Sequence, residues 1–284
     1  MATPQPQFID SDQQDDFYLG PKIPTTPSPV PAKDLHSSGK YATLQGLSDS
    51  DVPSLWKNLG TSEGNTSVFN YVPQLRQPSP EALSRVLQSL REDHGMVLYA
   101  IKADPNHLSP SPSSPSSSSS SSSPSRTTSH TETLGLIAFL DVQPQHRALE
   151  VGAVLYSPAL QQTAAGTEAQ YLLLRYAFGE QPTWPCPTPA LSPPYRRVVW
   201  KCNALNTASR RAAERLGFVY EGTLRNHMIH CERSRDSDFL SIVEKEWAGF
   251  VRPGFEAWLD DGNFGDDGRQ VCSLKGLRER GSGV

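Results

Sequence analysis

Cysteine is scarce in this sequence and none of it is paired by spacing. The four residues Cys186, Cys202, Cys231 and Cys272 are far apart, with no C-x-x-C among them. That excludes a disulfide framework and a cysteine-based zinc site, so no metal is expected and a reducing compartment is the simpler setting. No apolar run reaches the length of a membrane span, and the polar, Pro-rich N-terminus has no apolar signal core. The expectation is a soluble, cytoplasmic protein with no membrane partner. An excess of positive charge is missing too. Lys and Arg number 26 against 30 Asp and Glu, for a net charge of −4 and an isoelectric point near 6.0. Nucleic acid is therefore not an expected partner. The sequence sets no oligomeric state.

What the chain has in quantity is proline, 25 residues in 284, with a mean hydropathy of −0.48. A good part of it cannot bury a core. Residues 1–38 read as a Pro-rich arm, extended rather than helical and in large part disordered. Residues 104–131 hold a Ser/Pro tract with eight consecutive serines, Ser116–Ser123. It lies between two apolar strands, 96–101 and 134–142, so it reads as an expanded hairpin loop whose closure cost grows only slowly with length. A second insertion, 179–194, carries too many prolines for regular structure. What remains, about 39–248, suffices for one α/β domain, followed by a tail in which Phe250, Phe255, Trp258 and Leu259 suggest a short helix. From Asp260 on, order should fade.

Within the domain, Ser79-Pro80-Glu81 caps a helix with apolar residues at Leu83, Val86, Leu87 and Leu90. Asn206 caps another that runs through Leu216, and Gly217 ends it. Strands follow at 218–225 and 238–243, with a charged loop between them.

The centre of the chain is 150–169. Val151, Ala153, Val154 and Leu155 suit a strand covered on both faces, Ser157-Pro158 breaks it, and a helix with apolar positions at Ala169, Leu172, Leu173, Tyr176 and Ala177 starts at Gly166. The turn between them, Gln161, Gln162, Thr163, Ala164, Ala165 and Gly166, is small and polar. Such a turn offers free N–H groups at a helix start, where an anion such as a phosphate is favoured; the plain alternative is close packing of helix on sheet.

The segment Asn206-Thr207-Ala208-Ser209 through Leu216-Gly217-Phe218 resembles the Asn-x-x-Ser…Leu-Gly-Phe signature of the GCN5-related N-acetyltransferases (GNATs). Trp200-Lys201-Cys202-Asn203 and Arg233-Ser234-Arg235-Asp236 resemble their RimJ/RimL-like branch, as does Gly166-Thr167-Glu168-Ala169. The family's Gln/Arg-x-x-Gly-x-Gly/Ala motif falls on Gln161, Ala164 and Gly166. The resemblance spans about 38–248 and implies a mixed α/β fold: a mostly antiparallel sheet, splayed at the cofactor strand, with flanking helices. The motif's first glycine is Ala164 here, whose methyl would crowd a pyrophosphate unless the local backbone is helical.

The resemblance further implies acetyl transfer from acetyl-CoA to an amine, a protein N-terminus or a small molecule, in a ternary complex. Backbone N–H groups from Gln162 to Thr167 would hold the pyrophosphate. The strand at Ala153, Val154 and Leu155 would pair with the pantetheine amides and offer an N–H to the thioester oxygen. Asn206 would contact the cofactor arm, cap its helix, or do both. Ser209 is the candidate acid for the departing thiolate, with helix capping as the alternative. Glu150 is the candidate base, against a solvated strand-end charge, and Asp141 is a weaker competitor. Cys202 reads as core, Glu168 as a first-turn carboxylate favouring the helix dipole rather than a catalytic group, and Arg233 and Arg235 as a solvated hairpin, with contact to the substrate or the cofactor's 3′-phosphate as the alternative. The competing reading is a catalytically inactive module on the same fold that binds acyl-CoA or a protein partner.

Overall fold

The computed structural model describes residues 22–60, 67–110, 131–180, 188–265 and 267–281. Residues 1–21 of the arm, most of the Ser/Pro tract (111–130), the centre of the second insertion with Cys186 (181–187) and the last three residues lie outside the described residues. Among those described, the strands are β1 (His36–Ser38), β2 (Thr43–Gly46), β3 (Val97–Ala103), β4 (Glu132–Gln143), β5 (Ala148–Tyr156), β6 (Arg197–Asn203), β7 (Val219–His230) and β8 (Arg233–Val243). They form one sheet in the order β1-β2-β3-β4-β5-β6-β8-β7. Every adjacent pair is antiparallel except β5 and β6, which run parallel. The helices of seven residues or more are α1 (Val52–Asn58), α2 (Pro80–Glu92), α3 (Ala164–Ala177), α4 (Thr207–Leu216), α5 (Arg252–Leu259) and α6 (Leu274–Gly281). This is the mixed α/β, mostly antiparallel architecture expected. No helix among the described residues is long and apolar enough to cross a membrane.

Local chemistry sets most boundaries. Ser79 Oγ accepts the Ala82 N–H at 3.2 Å and Pro80 opens α2, since proline's missing N–H has no intrahelical role in a first turn. Asn206 Oδ1 accepts the Ser209 N–H at 3.0 Å at the start of α4. Gly217, at φ 111°, takes the left-handed turn that ends it. β3 and β4 are buried on both faces over most of their length, which is why they read as continuous apolar runs. One face packs α3 through Leu172, Leu173 and Tyr176 against Tyr99 and Phe139. The other packs α1 and α2 through Leu55, Leu83 and Leu87 against Leu98, Ala100 and Leu136.

Several segments depart from the sequence reading. α3 begins at Ala164, two residues early, because Thr163 caps it by accepting the Gly166 N–H on Oγ1 at 3.1 Å. The charged loop expected between the last strands is a two-residue turn, Cys231-Glu232, both at positive φ; β7 and β8 pair out to His230↔Arg233. Primed turns of that kind match the twist of the flanking strands, so ladder pairing extends through residues whose polarity suggests loop. The C-terminal segment does not fade at Asp260. Trp247 stacks on Phe178 with centroids 5.1 Å apart and Phe255 on Tyr171 at 5.4 Å. Asn263 Nδ2 then donates to the Trp258 and Cys272 carbonyls at 3.1 and 3.2 Å, and α6 buries Leu274. Gly and Asp there serve turns between packed aromatics.

The described part of the arm is extended and lies along the domain: Ala32 N–H donates to Tyr176 Oη at 2.9 Å and Tyr195 Oη donates to the Pro29 carbonyl at 2.9 Å. Ala103 pairs with Glu132, so the two ends of the Ser/Pro tract sit side by side, as an expanded hairpin requires. Residues 188–194 are irregular but bury Thr188 and Leu191.

Candidate active site

The parallel ladder between β5 and β6 runs from Ala148↔Arg197 to Val151↔Trp200 and stops. Past that point β5 keeps its partner on the β4 side and parts from β6. The divergence is shaped by a bulge: Leu136 pairs with Leu155 but Ala138 pairs with Gly152, so β5 carries an extra residue there. Ala153 holds the strained conformation this needs, at φ 47°. Its methyl packs towards the α1–α2 side and does not line the opening. The backbone that leaves the β6 side unpaired is what a ligand's amides would pair with.

A cavity of about 800 Å³ fills the divergence. β5 contributes Val154, Leu155 and Tyr156, the helix start contributes Gln161, Gln162, Thr163, Gly166 and Thr167, and the opposite wall carries Trp200, Asn206 and Ser209. Nine of the sequence-chosen residues thus converge on one space. Ala164 and Ala165 do not line it. They turn into the core at 3% and 0% exposure, because the helix begins at Ala164. The methyl that replaces the motif's glycine is therefore buried away from the opening. Gly166 is where absence of a side chain matters: a Cβ there would lie 2.8 Å from the Leu160 carbonyl and 3.1 Å from the Tyr156 ring.

The row of N–H donors is shorter than expected. Ala164 N–H donates to Ser109 Oγ at 3.0 Å and Ala165 N–H to the Leu108 carbonyl at 2.9 Å. Gly166 and Thr167 donate to Thr163. Gln162, at φ 60°, and Thr163 are left as the N–H groups of this run without a partner among the described residues. A capped helix meets its own donors first, so the anion seat narrows to the turn before it.

On the facing wall, Trp200 Nε1 donates to Ser209 Oγ at 3.0 Å. A hydroxyl that accepts from an indole has its own proton free to point elsewhere, the arrangement an acid needs. The neighbouring Cys202 is a core residue, 4% exposed, and burial pushes its thiol up. Asn206 both caps α4 and lines the cavity.

Glu150 lies outside the cavity lining, four residues back along β5. By register it shares a sheet face with Val199 and Lys201, and it is 6% exposed. Lys201 Nζ stands 2.6 Å from its carboxylate and 3.5 Å from that of Asp141. Desolvation outweighs this ammonium and pushes the Glu150 carboxyl up to about 7. It is not a solvated strand-end charge. Asp141, whose side chain is 51% exposed, has no such enclosure.

Glu168 departs from its expected role. Its side chain leaves the helix start and accepts three backbone N–H groups, from Lys40, Tyr41 and Ala42, at 2.7, 2.6 and 2.8 Å. It ties the β1–β2 turn to α3. Arg233 and Arg235 lie on β8 rather than in a loop and do not line the cavity.

Residues that no motif marked complete the site. Tyr156 Oη donates to the Gly166 carbonyl at 2.8 Å and accepts from Gln170 Nε2 at 3.0 Å, locking the helix start to β5. Tyr71 Oη donates to the Leu205 carbonyl at 2.9 Å, bridging the mouth. Lys201 was legible as a family segment but not as the partner of Glu150.

Three comparisons bear on this geometry. The family model described as an acetyltransferase (GNAT) domain matches residues 42–219. A search of curated proteins gives no match. Among solved structures, a GCN5-related N-acetyltransferase from Brucella melitensis aligns at a TM-score of 0.70 and 25% identity, covering 89% of this chain and 98% of its own. A probable acetyltransferase of the GNAT family from Chromobacterium violaceum aligns at 0.60 and 25%, covering 86% and 100%. The microcin C7 self-immunity acetyltransferase MccE, solved with acetyl-CoA and AMP, shares the fold at 0.50 and 18%, covering 72% and 93%.

Proposed function

The chain belongs to the acetyltransferase (GNAT) domain family, and on that premise we propose that it transfers the acetyl group of acetyl-CoA to a primary amine by direct attack. The observation that carries this is the cavity where β5 leaves β6, lined by strand backbone on one side and by Ser209 and Asn206 on the other. An acyl-CoA laid in it would set its pantetheine amides against the open edge of β5. Its pyrophosphate would lie at the Gln162–Thr163 turn and its sulfur within reach of Ser209.

The chemistry follows from those placements. The amine nitrogen attacks the thioester carbon, and an N–H of the bulged strand receives the oxygen as it becomes negative. Glu150 takes the ammonium proton, through water, since its carboxylate stands back from the cavity. The carbon–sulfur bond breaks and the thiolate leaves with the proton of Ser209, which regains one from solvent as Glu150 releases its own. The acceptor comes from the sheet face that carries Glu150, which takes its proton; a protein N-terminus, in keeping with the RimJ/RimL-like likeness, and a small amine both carry the attacking nitrogen.

Calorimetric titration of acetyl-CoA into the full chain tests the donor. Micromolar binding, about −8 kcal/mol at 1 μM, is expected, weakened by Asn206→Ala. Thiol release with a panel of peptides and amines tests turnover. Ser209→Ala is expected to lower kcat by about 10²-fold or more with little change in donor affinity, as befits an acid used only in the transition state. Tight acetyl-CoA binding with no thiol release from any amine would favour the inactive binding module instead.

A further inference from the structure

Among the described residues that line the cavity, one carries a formal charge: Arg215, near the end of α4. Its Nη1 donates to Thr167 Oγ1 at 3.2 Å, and its guanidinium carbon lies 5.2 Å from the centre of the Trp258 ring. No carboxylate among the described residues forms an ion pair with it. Burial pulls its pKa below that of a free arginine. A cation held partly out of water without a counterion is costly, and the lining offers no acidic group to offset it. Among the described residues the charge therefore has no counterion, and an anionic ligand would supply one.

Besides Thr167, what holds Arg215 in place comes from beyond the region that the family model matches, 42–219. Trp258, on α5, is 4% exposed and donates its indole N–H to Gln270 Oε1 at 2.8 Å. Both line the cavity. Arg278, on α6, donates to the carbonyls of Glu214 and Arg215 at 2.9 and 3.0 Å, fixing the end of α4 to the same segment.

We propose that Arg215, backed by Trp258, binds a phosphate group of the acyl-CoA, which makes the C-terminal segment a wall of the donor site. This deepens the donor reading above and rests on it. The shared chemistry is a phosphate on a planar guanidinium. A CoA molecule offers two sources, its pyrophosphate and its ribose 3′-phosphate.

The test compares full-length wild type, Arg215→Gln and Trp258→Leu by calorimetry against CoA, dephospho-CoA (no 3′-phosphate) and S-acetylpantetheine (no phosphate). Arg215→Gln is expected to weaken CoA about tenfold or more, flatten the salt dependence of binding, and leave S-acetylpantetheine unchanged. If the variant loses the preference for CoA over dephospho-CoA, the 3′-phosphate is the ligand group; if both weaken equally, the pyrophosphate is. Trp258→Leu should weaken CoA in the same sense. Equal CoA affinity in wild type and a folded Arg215→Gln overturns the subsite. So does a loss of S-acetylpantetheine as large as that of CoA. Should Arg215→Gln fail to fold, Arg215→Lys, which keeps the charge and loses the fork, and the wild-type salt dependence carry the same decision: binding insensitive to both overturns it. A wild type that binds neither CoA nor S-acetylpantetheine removes the donor reading itself, whereas binding of both without any dependence on Arg215 removes only this subsite.

Discussion

Glu150→Gln lowers kcat/KM for amine acetylation by about 10²–10⁴-fold and removes the rise in rate centred on neutral pH. The carboxyl is 6% exposed and stands at about 7 although Lys201 Nζ lies 2.6 Å away. A base at that value is half ionised at neutral pH and basic enough to take a proton from an amine under attack. Glutamine keeps the volume and loses the acceptor of a proton. Activity should therefore climb through about pH 7 in wild type and stay flat there in the variant. Lys201→Met removes the ammonium that favours the charged carboxylate, so it should move the acidic limb to higher pH while Lys201→Arg restores it. A Glu150→Gln enzyme with an unchanged rate and profile would pass the base role to Asp141, which also faces Lys201 at 3.5 Å.

The same shift sets the sign of a stability effect. The folded state keeps a proton on Glu150 up to about 7, whereas the unfolded chain releases it near the ordinary glutamate value of 4.5. The stability this group contributes is fully present below the unfolded value. It is lost as pH rises through the folded one. Denaturant midpoints should fall for wild type between those limits, and fall less for Glu150→Gln.

Glu168→Ala should destabilise the fold by about 3 kcal/mol or more, because three backbone N–H groups lose their acceptor and each such loss costs about 1–3 kcal/mol. The side chain is 4% exposed, so water does not readily replace it. That is a large share of the roughly 5–15 kcal/mol that holds a domain together. Glu168→Gln keeps one acceptor oxygen but sets an NH₂ against the donors, and it should fall between the two. Gly39→Ala should act alike from the other side, since a Cβ at Gly39 would run into the Glu168 carboxylate. Denaturant unfolding of the full chain measures all three. An alanine variant with the wild-type midpoint would sink the account.

Glu168 also marks a limit of reading along the chain. Its position early in a helix is legible, and a dipole role follows from position alone. The turn it holds is more than a hundred residues away in sequence, so nothing local identifies the partner. Asn206, Ser209 and Gly217 are the opposite case. Their roles at the ends of α4 depend on neighbours three or four residues off, and spacing suffices to place them.

The sequence by itself determined the order of strands and helices around the centre, the breaks at the two Pro-rich insertions, the family, and nine of the residues that face the cavity. Those depend on short-range spacing and on which residues can turn, cap or alternate. Tertiary structure decided what depends on distant residues meeting. It turned Ala164 into the core by starting α3 there under the Thr163 cap, enclosed Glu150 beside Lys201 across parallel strands, and carried Trp258 to Arg215. It also kept the C-terminal segment from fading at Asp260, because a Gly- and Asp-rich stretch packs once Trp258 meets Phe264 and Asn263 is tied to Cys272. Burial, charge balance and proton affinity belong to the assembled surroundings of a residue, and the linear chain does not contain them.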